Sequence, residues 1–144
     1  MVPSEKLSPH YLLQELLWPN AWQSTVACLL LNRTKRAQVD KVWPRLFQLA
    51  PEPESLLRME TAQLVELLRP LGFYNRRALR LQQLAQAWGK VPHRQLPGVG
   101  TYAHQSHRIF YEDDLLYGEA VEDHALVAYV EWRRQQNWKQ IKQL

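Results

Sequence analysis

Apolar residues recur at intervals of three and four along almost the whole chain, and no stretch of useful length alternates apolar with polar residues. Intervals of three and four place apolar side chains on one face of an α-helix, whereas alternation is typical of a β-strand. A chain of 144 residues is long enough for one compact domain and too short for two ordinary ones. We therefore predict an all-α fold that forms a single domain over residues 1–144.

Proline, glycine and capping residues divide the chain into separate helices. Ser8 can cap free backbone N–H groups and Pro9 fits a first turn, so a helix is predicted to begin there. Pro44 lacks an N–H group and is predicted to kink the third helix or to split it after Val42. The predicted helices cover about residues 8–18, 21–31, 37–49, 55–59, 61–68, 75–88 and 101–111, with a last helix from Asp123 past Trp132.

The chain is basic, with 18 Lys and Arg against 14 Asp and Glu and a formal net charge of +4. This balance favours a polyanionic partner such as a nucleic acid. Arg76, Arg77 and Arg80 fall mostly outside the apolar face of the helix predicted at 75–88. These three side chains are therefore expected to form a basic face near the turn that precedes the helix.

The single cysteine, Cys28, excludes an internal disulfide, a zinc cluster of cysteines and a four-cysteine iron–sulfur site. We expect no metal and no cofactor. The longest apolar run, Val26 to Leu31, is far shorter than the roughly 20 residues that cross a bilayer, so no membrane span is predicted. Residues 1–6 lack the basic start and apolar stretch of a secretory signal, and an intracellular, DNA-associated protein is expected.

The segment Leu96-Pro97-Gly98-Val99-Gly100 favours a function for its backbone. Gly98 and Gly100 permit positive φ angles and leave no side chains between the main chain and a ligand. A phosphate could approach closely, and the helix after Gly100 would direct unpaired N–H groups and its positive end at that anion. Such a hairpin can bind a DNA backbone without reading its sequence. An ordinary helix-to-helix turn is the alternative.

Asp123 opens the final helix about twenty residues after this hairpin. Its carboxylate can accept backbone N–H groups, so capping the helix is one interpretation of this residue. The other interpretation comes from the combination of a glycine hairpin with a helix-opening Asp at this distance.

That combination resembles the signature of the helix-hairpin-helix superfamily of DNA glycosylases. Within it, the sequence is most similar to the mismatch-specific thymine and uracil glycosylase domain of a methyl-CpG-binding repair protein. The resemblance implies two helical lobes that flank a cleft. The matching stretches stand in collinear order between about residues 10 and 135 and are Gln14, Leu30 to Thr34, Leu68 to Tyr74, the hairpin with Gly98, Gly100, Tyr102 and Arg108 to Phe110, and Glu122 to His124.

The resemblance implies catalytic roles for Asp123, as the catalytic carboxylate, and for Tyr102. Gln14 and Tyr102 are implied as residues of the base pocket that contact an extruded pyrimidine. Cleavage of the N-glycosidic bond builds positive charge on C1′, which an ionised Asp123 would stabilise. Glu122 is the competing carboxylate, and we prefer Asp123 because a shorter side chain at a helix start is held more rigidly.

The resemblance also implies contacts with DNA. Arg33 would enter from the minor groove beside the vacated space, although it could instead neutralise the negative end of the preceding helix. Phe73 would be an apolar wedge that fills the gap left by the flipped nucleotide, with burial in the core as its alternative. Leu71 would help to recognise the orphaned guanine through its main chain. The full set of implied DNA-binding residues is Arg33, Leu71, Gly72, Phe73, Gly98, Val99 and Gly100.

The expected function is that of a monofunctional DNA glycosylase that excises thymine or uracil opposite guanine and leaves an abasic site. Relatives that also cut the strand are implied to carry Lys where Tyr102 stands, so water is the expected nucleophile. Two positions depart from the resembled domain, with Ala125 in place of Lys and Phe73 in place of Leu. The expected partner is double-stranded DNA with a mispaired or damaged base, bound by a monomer. A glycosylase for another base and an inactive DNA-binding module are the alternatives.

Overall fold

The computed structural model describes residues 7–143, and every regular element in that range is helical, which confirms the predicted all-α fold. The predicted lack of a secretory signal concerns residues 1–6, which lie outside the described residues. The helices are α1 (Leu13–Leu17), α2 (Ala21–Leu31), α3 (Arg36–Val39), α4 (Trp43–Leu49), α5 (Pro53–Arg58), α6 (Thr61–Leu68), α7 (Tyr74–Ala87), α8 (Thr101–Tyr111) and α9 (His124–Gln143), with short 3₁₀ turns at Arg69–Leu71 and His93–Gln95.

Three helices, α2, α6 and α8, have the predicted bounds, and local chemistry marks the start of α2 and of α8. The side chain of Asn20 accepts the N–H of Gln23 at 2.9 Å and so caps the start of α2. Helix α8 begins directly after Gly100, whose carbonyl accepts the N–H of His104 at 3.0 Å. Both helices therefore begin where the sequence places a residue suited to a helix start.

The predicted start of the first helix at Ser8 is wrong, because α1 begins only at Leu13. The buried carboxylate of Glu15 accepts hydrogen bonds from the Leu12 N–H at 2.6 Å and from the Ser8 hydroxyl at 2.9 Å. Ser8 therefore lies before α1 and is hydrogen-bonded to it through Glu15, and no helix begins at Ser8. Tyr11 lies between them in the left-handed region with φ 52°, which interrupts a helical path.

The third predicted helix is split as expected, and its second part, α4, begins directly after Val42. Its first part, α3, ends earlier, at Val39, so residues 40–42 form a connection. Pro44 occupies the first turn of α4, where its missing N–H group breaks no hydrogen bond.

The buried side chains form two separate hydrophobic cores, which confirms the two lobes. The core of the first lobe is built mainly from α2, α4, α6 and α7, and that of the second from α8, α9 and the loop between them. Leu12 belongs to the second core and Leu13 to the first, so the start of α1 lies between the lobes. No helix within residues 7–143 combines the length and hydrophobicity needed to cross a membrane.

Candidate active site and nucleic-acid interface

A cavity of about 660 Å³ brings together three residues that the sequence singled out. Gln14 belongs to α1, Tyr102 to the first turn of α8, and Asp123 is the residue immediately before α9. Arg33 and Glu122 also line this cavity. Side chains from both ends of the chain therefore meet in one cleft.

Gln14 and Tyr102 form a hydrogen-bonded pair. The amide Nε2 of Gln14 donates to the hydroxyl oxygen of Tyr102 at 2.8 Å, and Gln14 is only 1% exposed. Burial raises the pKa of Tyr102 well above its usual range, and the nearby carboxylate of Asp123 contributes to the increase. The phenol is therefore neutral at physiological pH, and its O–H can donate either to the neighbouring thiol of Cys28 or to a bound molecule.

The thiol of Cys28 lies behind this pair, with its Sγ 3.7 Å from the Nε2 of Gln14. Burial raises the pKa of Cys28 to about 11, so the side chain is an uncharged thiol at neutral pH. Cys28 is buried in α2. Its position against the pocket was missed because it depends on how α2 packs against α1 and α8.

Asp123 caps α9 while also facing the cavity. Its Oδ2 accepts the N–H of Leu126 at 3.0 Å, and its backbone carbonyl accepts the N–H of Val127 at 2.8 Å. The residue is exposed, so a ligand and water can reach it. Glu122 lines the same cavity, but among the described residues no hydrogen bond holds its carboxylate in place. The cap therefore gives Asp123 the more fixed orientation.

Arg33 and Phe73 share an unusual backbone conformation. Their φ angles are 59° and 48°, in the left-handed region that residues with a Cβ seldom occupy. Phe73 is 64% exposed, so burial in the core is excluded for this side chain. Arg33 is also exposed. Strained, exposed residues of this kind are often found where a protein contacts a ligand.

Arg77 connects the turns that carry these two residues. Its guanidinium donates to the Gly72 carbonyl at 2.9 Å, next to Phe73, and to the Leu30 carbonyl at 3.2 Å at the end of α2. It also donates to the Asn32 carbonyl at 3.4 Å and to the hydroxyl of Thr34. One side chain thus fixes both turns relative to each other. The sequence placed Arg77 on a basic face but gave no signal for these distant partners.

The glycine hairpin lies at the N-terminus of α8. Gly98 has φ 83°, and a Cβ added there would lie 2.7 Å from Leu29 Cδ2 and 2.8 Å from Arg80 Cδ, so a side chain at this position would strain the backbone and displace both neighbours. A Cβ added at Gly100 would meet nothing within 4 Å. Gly98 is thus required by packing, whereas Gly100 leaves open space in front of the first N–H groups of α8.

The side chains of Leu71 and Val99 both pack in the first lobe. The side chain of Leu71 is buried in the 3₁₀ turn that precedes Gly72. The side chain of Val99 packs against the core of the first lobe. Within residues 7–143, no three His, Cys, Asp or Glu side chains group in a way that could hold a metal ion.

Residues 26–137 match the HhH-GPD superfamily of base excision DNA repair proteins, and the chain belongs to this superfamily. The match spans Arg33, Phe73, the glycine hairpin and Asp123. Gln14 lies outside the matched stretch but reaches the same cavity.

Several proteins are similar to this chain in sequence. A methyl-CpG-binding domain protein 4-like protein of Arabidopsis thaliana is 36% identical over 108 residues, covering 72% of this chain and 24% of that protein. A thymine-DNA glycosylase of Aeropyrum pernix is 33% identical over 102 residues, covering 62% of this chain and 46% of that protein. A thymine/uracil-DNA glycosylase of Pyrobaculum aerophilum is 30% identical over 103 residues, covering 62% and 45%. The chain therefore spans less than half the length of these relatives.

Among solved structures, a non-covalent complex of endonuclease III with DNA has the same fold. The TM-score is 0.61 at 20% sequence identity, and the match covers 94% of this chain and 74% of that chain. This similarity confirms the helix-hairpin-helix glycosylase fold predicted from the sequence.

Proposed function

We propose that the chain is a monofunctional DNA glycosylase that removes thymine or uracil opposite guanine and leaves an abasic site. The observation that carries the proposal is the shared cavity in which the carboxylate of Asp123 faces the hydrogen-bonded pair of Gln14 and Tyr102. The names of the two archaeal relatives, a thymine-DNA glycosylase and a thymine/uracil-DNA glycosylase, support the same substrate class.

The Gln14–Tyr102 pair suits a pyrimidine that carries an N3–H group. The Tyr102 hydroxyl accepts from Gln14 and can donate to a carbonyl oxygen of the base. The amide oxygen of Gln14 can accept the N3–H of thymine or uracil. Cytosine has no proton at N3 and would leave this buried amide oxygen without a donor, at a free-energy cost.

Asp123 acts at the sugar. As the bond to the base breaks, positive charge develops on C1′, and the exposed carboxylate stabilises it and orients the attacking water. The departing base carries the negative charge, which the hydrogen bonds from the pocket stabilise. The water oxygen bonds to C1′ and the water gives up one proton, while the base leaves with the bonding electrons and is protonated.

The proposal includes water as the nucleophile, because no lysine lines the part of the cavity that the structure describes. A strand-cutting mechanism through a Schiff base needs an amine there. Tyr102 provides a phenol, and Ala125 lines the cavity where the resembled domain has Lys. Arg33 and Arg36 also line the cavity, and neither is a nucleophile because a guanidinium group stays protonated.

Access to the base requires flipping the nucleotide out of the duplex. The exposed Phe73 can fill the gap, with Arg33 entering beside it from the minor groove. Leu71 and Gly72 supply main-chain groups for the orphaned guanine, and the hairpin at Gly98, Val99 and Gly100 binds the backbone. The protein is proposed to act on double-stranded DNA as a monomer.

A panel of duplexes tests the substrate assignment. Each duplex contains one defined pair, G·T, G·U, A·T, A·U or G·C, and abasic products are cleaved with hot alkali. We expect products from G·T and G·U only, strand breaks only after alkali, and no adduct trapped by borohydride. Excision of another base would support the alternative glycosylase. Tight binding without any excision would support the inactive DNA-binding module.

A further inference from the structure

A second cavity, of about 400 Å³, shares the lining residues Asn32 and Arg33 with the proposed active site. We call it the arginine groove, and it is lined by Arg33, Arg76, Arg77, Arg80, Phe73 and Gly98, among other residues. In the part of the chain that the structure describes, no Asp or Glu contributes to its lining. A groove with four guanidinium groups and no carboxylate is suited to an anionic ligand.

Arg76 and Arg80 are the side chains of the groove that are available to such a ligand. They lie one turn apart on α7, both are exposed, and neither has an ion-pair or hydrogen-bond partner among residues 7–143. Other surface arginines are neutralised, as Arg36 is by Asp40 at 2.7 Å and Arg69 by Glu66 at 2.6 Å. The positive charge of the groove is therefore uncompensated.

The groove is continuous with both parts of the proposed DNA interface. The stem of Arg80 packs against the hairpin, because a Cβ at Gly98 would lie 2.8 Å from its Cδ. Phe73, the residue that precedes α7, also lines the groove. Asn32 and Arg33 line both the groove and the cavity that contains Asp123. A ligand in the groove would thus lie next to the wedge and close to the flipped nucleotide.

We propose that Arg76 and Arg80 bind a backbone phosphate of the DNA, in the strand segment that crosses the groove between the wedge and the hairpin. Guanidinium groups bind phosphate oxygens through paired, charge-assisted hydrogen bonds. The inference rests on the proposed function only in requiring DNA as the ligand. Either strand could supply the phosphate, and the experiment below distinguishes the two sources.

The first test compares two variants of equal charge. Arg76→Gln with Arg80→Gln removes the groove pair, and Arg45→Gln with Arg58→Gln removes two exposed arginines outside it. Binding to an undamaged duplex is measured across a salt series. For the groove variant we expect the log–log salt slope to fall by about 0.9, the value for one phosphate contact, and the Kd at about 0.1 M salt to rise at least tenfold. The control variant should show a much smaller change in the salt slope and in the Kd.

The second test locates the phosphate with methylphosphonates, which remove one backbone charge at a time in either strand. At one position the modification should weaken binding of the wild type and have almost no effect on the groove variant. The strand that contains this position is the source of the phosphate. The proposal is overturned if the groove variant keeps the salt slope of the control, or if no methylphosphonate penalty depends on Arg76 and Arg80.

These measurements are independent of catalysis because the duplex contains no mispair. If the panel of mispairs shows no excision while the groove variant still loses its salt dependence, only the proposed activity fails. If excision occurs and the groove variant binds like the control, only the phosphate site fails.

Discussion

Replacing Arg77 by Ala should loosen the two turns that present Arg33 and Phe73, and the structure gives the size of the effect. The substitution removes hydrogen bonds to the carbonyls of Gly72 and Leu30, at 2.9 and 3.2 Å, both partly buried. Hydrogen bonds from a charged donor contribute about 1.5–3 kcal/mol each when buried, and water replaces part of this at a half-exposed site. We therefore expect the free energy of unfolding to fall by about 2–3 kcal/mol, which corresponds to about 6–10 °C in Tm for a chain of this size.

Urea and thermal unfolding measure this change, with Arg76→Ala as the matched control. Arg76 is the preceding residue of α7 and is exposed, so its replacement should alter the free energy of unfolding by less than about 0.5 kcal/mol. Arg77→Lys keeps the charge but cannot reach all four acceptors at once, and its stability should be intermediate.

The same variant has a functional consequence. The left-handed conformations of Arg33 and Phe73 cost about 1–2 kcal/mol each and should relax when Arg77 no longer holds their turns. Excision from a duplex should then fall more than excision of an unpaired base, because only the duplex requires both side chains in place. Equal stability of Arg77→Ala and Arg76→Ala would show that the hydrogen bonds of Arg77 do not hold the two turns in place.

Two further predictions concern the wedge and the hairpin, and a third concerns a partly buried histidine outside the site. Phe73→Ala should change stability little, because the side chain is exposed, and should impair excision from a duplex more than from unpaired substrate; equal losses on both would exclude the wedge. Gly100→Val should preserve the Tm and weaken duplex binding, whereas Gly98→Ala should lower the Tm, and the reverse order would contradict the packing at the hairpin. Burial and the neighbouring His107 and His104 lower the pKa of His93 to about 3 in the folded protein. Because the unfolded chain binds a proton at this residue already near pH 6.5, the free energy of unfolding should decrease as the pH falls from about 6.5 towards 3. Urea titrations at several pH values should show a smaller decrease for His93→Gln, and an unchanged slope would show that His93 does not titrate in this way.

The sequence predicted most of the fold because helix starts and ends are encoded locally. Asn20 and Gly100 mark α2 and α8 through contacts within a few residues. The start of α1 was missed because it depends on Glu15, a residue of α1 whose carboxylate accepts a hydrogen bond from the hydroxyl of Ser8. The sequence alone does not distinguish a Ser8 that caps a helix from a Ser8 that is hydrogen-bonded to Glu15 of a later helix.

The candidate site was predictable for a different reason. Gln14, Tyr102 and Asp123 were placed together by resemblance to a superfamily, and spacing alone could not have joined them. Contacts that no motif marks were not predicted. The partners of Arg77 lie 43 to 47 residues away in the sequence at Thr34, Asn32 and Leu30, and only the packing of α7 beside the end of α2 brings them together.

If the carboxylate of Asp123 stabilises the cationic sugar, a matched pair of variants at Asp123 and Glu122 separates its role from that of the neighbouring carboxylate. Single-turnover excision from G·T and G·U duplexes is measured for the wild type, Asp123→Asn and Glu122→Gln, each with a duplex-binding assay and a melting curve. Asn can still cap α9, so Asp123→Asn should fold and bind DNA, while its excision rate falls at least about 100-fold because the charge that stabilises the cationic sugar is lost. Glu122→Gln should remain within about threefold of the wild type, an effect of about 0.65 kcal/mol at most. Near-normal excision by Asp123→Asn, with the loss found in Glu122→Gln instead, would show that Glu122 and not Asp123 is the catalytic carboxylate.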